Sequence, residues 1–398
     1  MFENRDRSFK DEYDIAIIGA GPAGIAAAAA AAPSASVVLI ESSDRLGGSV
    51  TAAMHRCMCG LYAALPRDPL DTLNDFVQRD VVRRMLDEDR AHVIPRLLGI
   101  APVLEFPRAV WESSLADICS ESTCDLRLNC RVTNLRREGN RITAIEIAAP
   151  EAKWISVKAV IDCSGGGHGL KLAGADAYQT PDDSDGRTLG GFAVRLRGIS
   201  GDPELLRLQI PYALAKAVGS GQLPPHARYT VFYPGPASGE GICKLAVNPA
   251  EMSADEADRF ATSVVDYLIA EIAGLASAQI AEKSPRILPR DGLRLRGELI
   301  ISENDILTAR RHGPDSVHAW WPMERWDVST GPTYAYPPAG QYYDIPNSAL
   351  QSKSITNLLA AGTCLSASSA AAASTRASGI CLATGYAAGR LALAQLRN

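Results

Sequence analysis

Asp14-Ile15-Ala16-Ile17-Ile18 runs straight into Gly19-Ala20-Gly21-Pro22-Ala23-Gly24 and then into an alanine-rich stretch, Ile25 to Ala32, closed by Pro33. A short apolar run, glycines and then helix-forming residues predict strand, tight turn and helix. Each glycine has its own duty in that unit. Gly19 makes the turn, Gly21 lets backbone approach a pyrophosphate, and Gly24 lets the helix pack closely on the strand. The helix N-terminus then faces the phosphate charge. A second apolar strand, Val37-Val38-Leu39-Ile40, ends in Glu41. That places a carboxylate about 20 residues after the first glycine, where it holds the adenosine ribose hydroxyls. The unit predicts a dinucleotide site in an α/β fold. An acid here disfavours a 2′-phosphate, so NADP is the poorer option, and FAD and NAD remain.

Composition bounds the rest. The chain has 398 residues, with 40 Lys and Arg against 45 Asp and Glu for a net charge of −5, which argues against a nucleic-acid partner. With 46% hydrophobic and 21% charged residues it is globular in composition. Nine cysteines without paired C-x-x-C spacing read as free thiols, and no metal site is indicated. The N-terminus lacks the apolar core of a secretory signal, and no run nears the roughly 20 apolar residues that cross a bilayer. A cytoplasmic protein with no membrane partner is the expectation; the oligomeric state is open.

After Glu41 the chain reads Ser42-Ser43-Asp44-Arg45-Leu46-Gly47-Gly48-Ser49. At this point it resembles the large family of FAD-dependent oxidoreductases whose flavin domain is of the glutathione-reductase type. In that family an acid ends the second strand and a Leu-Gly-Gly follows, its backbone approaching the cofactor. The resemblance implies FAD contacts at Gly19, Gly21, Pro22, Ala23 and Gly24, at Glu41 and Ser42, and at Leu46, Gly47, Gly48 and Ser49.

Leu126 to Leu135, a turn at Glu138-Gly139-Asn140, Arg141 to Ile147 and Trp154 to Val157 alternate as a three-stranded meander. Ala159 to Asp162 follows as a buried strand running to the glycines Gly165 to Gly167. By the resemblance this region returns the chain to the parallel sheet and brings Arg131, Val132, Cys163, Ser164 and Gly165 to the adenine side, with His168 in a structural role. Asn357 to Thr363 is another strand with a glycine end, and Gly379 opens a small-residue helix. In the family that strand end meets the ribityl chain, and the helix N-terminus points at the flavin N1 and C2 carbonyl, where charge collects on reduction. Gly362, Thr363, Arg376, Gly379, Ile380 and Cys381 are the implied contacts.

Residues 285 to 390 are similar, more narrowly, to the subfamily with an arginine motif, a W-P motif and an I-P motif before the closing strand. They stand here as P-R-D-G-L-R at 289 to 294, W-P-M-E at 321 to 324 and D-I-P-N-S-A-L at 344 to 350. Leu293, Trp326, Ser348, Thr363, Ser369 and Ala372 replace arginines or histidines that relatives tend to carry, while Arg376 is kept. Cofactor binding rests on glycines and backbone and survives these changes; the acid/base set is thinned.

His55 follows the glycine pair and is the first candidate for a general base or a covalent flavin tether, with Cys57 and Cys59 as alternative tethers. Arg290 and Arg294 are candidates to hold a substrate carboxylate or the reduced flavin's anion. His318, Trp320, Trp321 and Trp326, followed by Tyr334, Tyr336, Tyr342 and Tyr343, concentrate aromatics in a chain with only 6% of them, and suggest an aromatic pocket.

The expected architecture is a Rossmann-like FAD-binding domain, a parallel sheet with a β-meander, from 1–60, 125–185 and 350–398. A mixed α+β substrate domain is expected from 61–124 and 186–349, with Asp71 to Asp89 and Val110 to Ser120 helical, strands at Phe192 to Leu196 and Tyr229 to Tyr233, and a helix from Ala254 to Ala273 capped by Ser253. The expected activity is that of an FAD-dependent oxidase or dehydrogenase, taking a hydride from a small organic substrate and passing electrons to oxygen or a carrier. A flavin monooxygenase and a non-catalytic flavoprotein acting as a binding or maturation partner are the alternatives.

Overall fold

The computed structural model describes residues 9–149, 151–178, 188–235 and 237–397. Along the chain, β1 (Glu12–Ile18), α1 (Pro22–Ala31) and β2 (Val37–Ile40) form the unit expected from the glycine motif. Then come α2 (Gly48–Ala52), β3 (Cys57–Cys59), α3 (Val77–Asp89), the hairpin β4 (Ile94–Leu98) and β5 (Ala101–Glu105), and α4 (Arg108–Glu121). The meander follows as β6 (Asp125–Arg127), β7 (Arg131–Glu138), β8 (Arg141–Ala149) and β9 (Glu151–Asp162), with α5 (His168–Ala173) and β10 (Ala177–Tyr178) after it. Next are β11 (Gly190–Arg197), α6 (Pro203–Gly219), β12 (Val231–Pro234), β13 (Glu240–Val247), α7 (Ala254–Glu271), β14 (Gln279–Lys283) and β15 (Arg294–Leu295). The chain ends with α8 (Glu303–Leu307), β16 (Ser316–Ala319), β17 (Met323–Asp327), β18 (Gly331–Ala335), β19 (Tyr343–Pro346), β20 (Leu358–Ala360), α9 (Ser369–Thr375) and α10 (Ser378–Leu396).

The main sheet has the order β6-β2-β1-β9-β8-β7, with β20 also on β9. β2, β1, β9 and β20 are parallel, and their apolar runs are buried on both faces, by α1 and α10 on one and by the meander with α5 on the other. β9 does two jobs that the sequence reading gave to separate strands. Its first half pairs antiparallel with β8, and its second half pairs parallel with β20 from Val160 to Asp162. Conversely, Leu126 to Leu135 is two strands. Asn129 adopts a left-handed φ of 55° and breaks the run, so β6 joins β2 while β7 starts the meander.

α1 is nearly all alanine, so it lies flat against its neighbours. A Cβ on Gly24 would fall 1.8 Å from the Gly19 carbonyl oxygen, and Cβ atoms on Gly385 and Gly389 would fall 2.0 Å and 2.4 Å from the carbonyl oxygens of Ala23 and Ala27. α10 therefore rests backbone to backbone on α1.

A second sheet, β12-β13-β11-β14, is antiparallel. α6 and α7 cover one face with Leu206, Ile210, Leu214, Phe260, Val264 and Leu268, and the other face sets Ala193 and Ile242 against Met54. Ser253 caps α7, as its sequence suggests, and Glu256 completes a reciprocal capping box. α3 starts at Val77 rather than Asp71, because Phe76 takes a positive φ of 64° and the Asn74 amide donates to Gln78 Oε1 at 2.9 Å. The hairpin β4–β5 and the helices α6 and α9 were not foreseen. No helix among the described residues is long and apolar enough to cross a membrane.

Gly385→Leu is expected to destabilise the protein by about 1–3 kcal/mol or more through overpacking. Urea denaturation of the FAD-saturated variant against wild type measures it, and an unchanged midpoint would contradict the packing described.

Candidate active site

A cavity of about 940 Å³ lies between the C-terminal ends of the parallel strands and the open face of the antiparallel sheet. Its volume is that of a site for a large cofactor and a small ligand together. Two helix N-termini face it. α1 is capped by Gly21 and α10 by Ala377, neither with a side-chain hydrogen bond, and Gly21, Pro22, Ala23, Ala377 and Ser378 line the cavity. Bare N–H groups at two helix starts invite negative charge. Gly21 and Gly48 meet at the wall, where a Cβ on Gly48 would lie 3.0 Å from Gly21 Cα, so a side chain there would fill the cradle. This satisfies the requirements of a dinucleotide: glycine approach, free amides and room.

Glu41 sits at the end of β2 and is buried. Its carboxylate accepts from the Ala20 and Ser43 amides, both at 2.8 Å, and from Ser43 Oγ at 2.9 Å, which fixes it at the cavity wall. Elsewhere on the wall, His168 Nε2 lies 2.7 Å from the Val132 carbonyl and the His168 amide donates to Ser164 Oγ at 2.8 Å. Thr363 Oγ1 donates to the Gly165 carbonyl at 2.8 Å and ties the ends of β9 and β20 together.

At the far end, His55, Cys57 and Cys59 from β3 and its approach meet Tyr233, Lys244, Arg290, Trp321, Glu324, Trp326 and Arg376. Two of the three motifs, those at 289–294 and 321–324, converge here, largely through backbone bonds, while the motif at 344–350 pairs with β16 instead. Arg376 donates to the carbonyls of Arg290 at 3.1 Å and Glu324 at 2.7 Å, Arg290 donates to the Leu189 carbonyl at 2.6 Å and stacks 4.3 Å from the Trp326 ring, and Trp326 Nε1 donates to Glu324 Oε1 at 2.7 Å.

A profile of the FAD dependent oxidoreductase family matches residues 14–398. The chain belongs to that family. Digeranylgeranylglycerophospholipid reductase 1 of Methanococcoides burtonii is 27% identical over 150 residues, which cover 35% of this chain and 34% of that protein. An uncharacterised protein from the nifH2 5′ region of Methanosarcina barkeri is 30% identical over 161 residues, covering 38% of this chain and 82% of that one. Among solved structures, a geranylgeranyl bacteriochlorophyll reductase-like protein of Thermoplasma acidophilum is 14% identical with a TM-score of 0.48, covering 97% of this chain and 78% of that one. The matched stretch thus spans about a third of the length of the first of these relatives.

In this FAD dependent oxidoreductase, Gly19, Gly21, Pro22, Ala23, Glu41, Ser42, Leu46, Gly48 and Ser49 all line the cavity. So do Arg131, Val132, Cys163, Ser164, Gly165, Gly362, Thr363, Arg376 and Cys381. Gly24, Gly47, Gly379 and Ile380 do not. Gly24 and Gly379 instead let backbones approach, since a Cβ on Gly379 would fall 2.9 Å from the Cys59 and Gly60 carbonyl oxygens, while Ile380 is wholly buried and Gly47 takes a φ of 91° to start α2.

Arg294 is a correction. The chain passes so close to Gly166 at Gly292 that a Cβ there would fall 2.9 Å from Gly166 Cα, and Arg294 then points into the protein, where its Nε donates to the Ala367 carbonyl at 3.0 Å. The aromatic group also divides. Trp321 and Trp326 line the cavity, whereas Trp320 packs near Tyr336, Tyr343 bonds Ser374, and His318 packs at a tilt against Tyr342 and pairs with Asp344 at 2.9 Å. Sequence reasoning missed Lys244 and Tyr233. The only signal was a lysine at an inward-facing place in an alternating strand.

Burial, with Lys244 and Arg290 nearby, holds the His55 imidazole well below its usual pKa, so it is neutral near pH 7. Burial pushes the Cys57 thiol up and Cys59 further. Because unfolded His55 takes a proton below about pH 6.5 and the folded group resists it, its stabilising contribution is full above that pH and is lost as pH falls. Urea midpoints of the FAD-saturated protein at about pH 7.5 and about pH 5.5 are expected to fall more in wild type than in His55→Gln. Equal falls would contradict the burial of a neutral imidazole.

Proposed function

We propose that this FAD dependent oxidoreductase is a dehydrogenase or oxidase that takes a hydride from a small organic substrate. Supporting it is one observation: the glycine-lined end of the cavity opens without a wall into an end where a neutral imidazole faces a small aromatic-lined space. The segments 1–60, 125–185 and 350–398 act as the FAD domain and 61–124 and 186–349 as the substrate domain. Bound FAD supplies a two-electron acceptor.

The α1 N-terminus with Gly19, Gly21, Pro22, Ala23 and Gly48 would hold the pyrophosphate, and Glu41 the adenosine ribose. Gly362, Thr363 and Cys381, with the start of α10, would hold the ribityl and flavin end. A ring nitrogen of His55 accepts the substrate proton as the hydride leaves, which its depressed pKa permits near neutrality. Trp321, Trp326 and Tyr233 exclude water and orient the substrate, and Trp326 in turn fixes Arg290. Neutral thiols at Cys57 and Cys59 are the poor form for a covalent bond to the flavin, so FAD is held non-covalently. The nine free cysteines fit a cytoplasmic enzyme, with oxygen or a carrier as the electron acceptor.

An anaerobic screen of organic donors that follows bleaching of the flavin tests this. A donor that bleaches wild type is expected to bleach His55→Gln about 10²–10⁴-fold more slowly at equal FAD content. Rapid bleaching by NAD(P)H alone would contradict the proposal.

A further inference from the structure

The face that the antiparallel sheet turns to the cavity is made of alternate, paired residues: Gly191 and Ala193 on β11, Val231 and Tyr233 on β12, and Ile242, Lys244 and Ala246 on β13. Lys244 is the charged one among them. It lies between Ala193 and Val231, its Nζ 5.1 Å from the centre of the Tyr233 ring, and among the described residues that Nζ has no ion pair and no hydrogen bond. Arg195, opposite Ile242 on the same sheet, is by contrast paired with Glu240 at 3.3 Å and Glu282 at 3.5 Å. Lys244 shares its end of the cavity with Arg290 and Arg376, and the carboxylate lining that end, Glu324, already accepts from Trp326.

An ammonium set in an apolar sheet face without a counter-ion is costly to bury, and an anion entering the cavity would relieve that cost by pairing with it. The phosphates of FAD are served by the glycine cradle and the α1 N-terminus, which belong to the other layer of the site. Resting on the reading of this end as the substrate end, we infer that Lys244 and Arg290 form an anion subsite and that the molecule oxidised carries a carboxylate, its reacting carbon held toward His55. Burial above all, with Arg290 adding to it, lowers the pKa of Lys244 to about 8 against the pull of Cys57, Cys59 and Glu324. An entering carboxylate meets a cation below that pH and a neutral amine above it.

The test titrates the FAD-loaded protein with benzoate and separately with benzamide, followed by the visible flavin spectrum. Benzoate is expected to bind at least about tenfold more tightly, as one charge-assisted hydrogen bond gives. That preference is expected to fade as pH rises through about 8, where Lys244 loses its proton among His55, Cys57, Cys59, Tyr233, Arg290 and Glu324. Lys244→Met is expected to weaken the preference to what Arg290 alone sustains and to remove its pH dependence near 8, while keeping its FAD and its flavin reduction potential.

Equal binding of the two probes by wild type, which needs no variant, would overturn the subsite, as would an unchanged benzoate preference in K244M. A shifted potential with the benzoate preference retained would overturn it too, assigning Lys244 to the reduced flavin's anion. The outcome is separable from the oxidoreductase reading. A benzoate preference in a flavin that no organic donor reduces supports the subsite and sinks hydride transfer, whereas a neutral donor that reduces the flavin without any benzoate preference does the reverse.

Discussion

Everything in the site depends on how closely α1 approaches its neighbours. The Gly24 backbone sits where a Cβ would fall 1.8 Å from the Gly19 carbonyl oxygen, and α10 lies against the other side of α1 at Gly385 and Gly389. These contacts leave no room for side chains, so a run of glycine and alanine is required and the α1 N-terminus is brought to the cavity bare. A bare helix start is unfavourable unless an anion satisfies its N–H groups. The packing constraint and the cofactor requirement are thus met by the same residues.

The other end of the cavity reverses the polarity of the argument. There the fixed charges are side chains, and they are mostly positive and poorly compensated. Arg290 has its pKa lowered to about 10, chiefly by burial and then by Arg376, and is kept in place by the Trp326 ring and the Leu189 carbonyl. With His55 neutral in the same field, one base and several cations face one space. That combination suits a reaction in which a proton must leave while negative charge is held elsewhere.

The parallel half of the fold was legible because its determinants are local. The strand, glycine turn and helix of residues 14–31 lie in one short window, and the Ser253 cap of α7 is legible from the residue directly before the helix. What was illegible depends on pairing between distant segments. Lys244 matters only because β11 and β12 flank it, and nothing in Ile242-Cys243-Lys244-Leu245 says so. Arg290 and Arg294 read alike in one motif, yet the chain between them, passing close to Gly166 at Gly292, sends them to different places. The break at Asn129 had a signal, since asparagine tolerates the left-handed region, but the alternation of apolar residues across it was stronger. The β4–β5 hairpin turns at Gly99, with φ of 62°, between Leu98 and Ala101, a two-residue connection that glycine marks.

The most direct measurement is the visible absorption spectrum of the purified protein after saturation with FAD and removal of the excess, followed by acid precipitation. One oxidised flavin per chain, with the colour released to the supernatant, is the predicted result. A colourless protein that takes up no added FAD would contradict the account at its root.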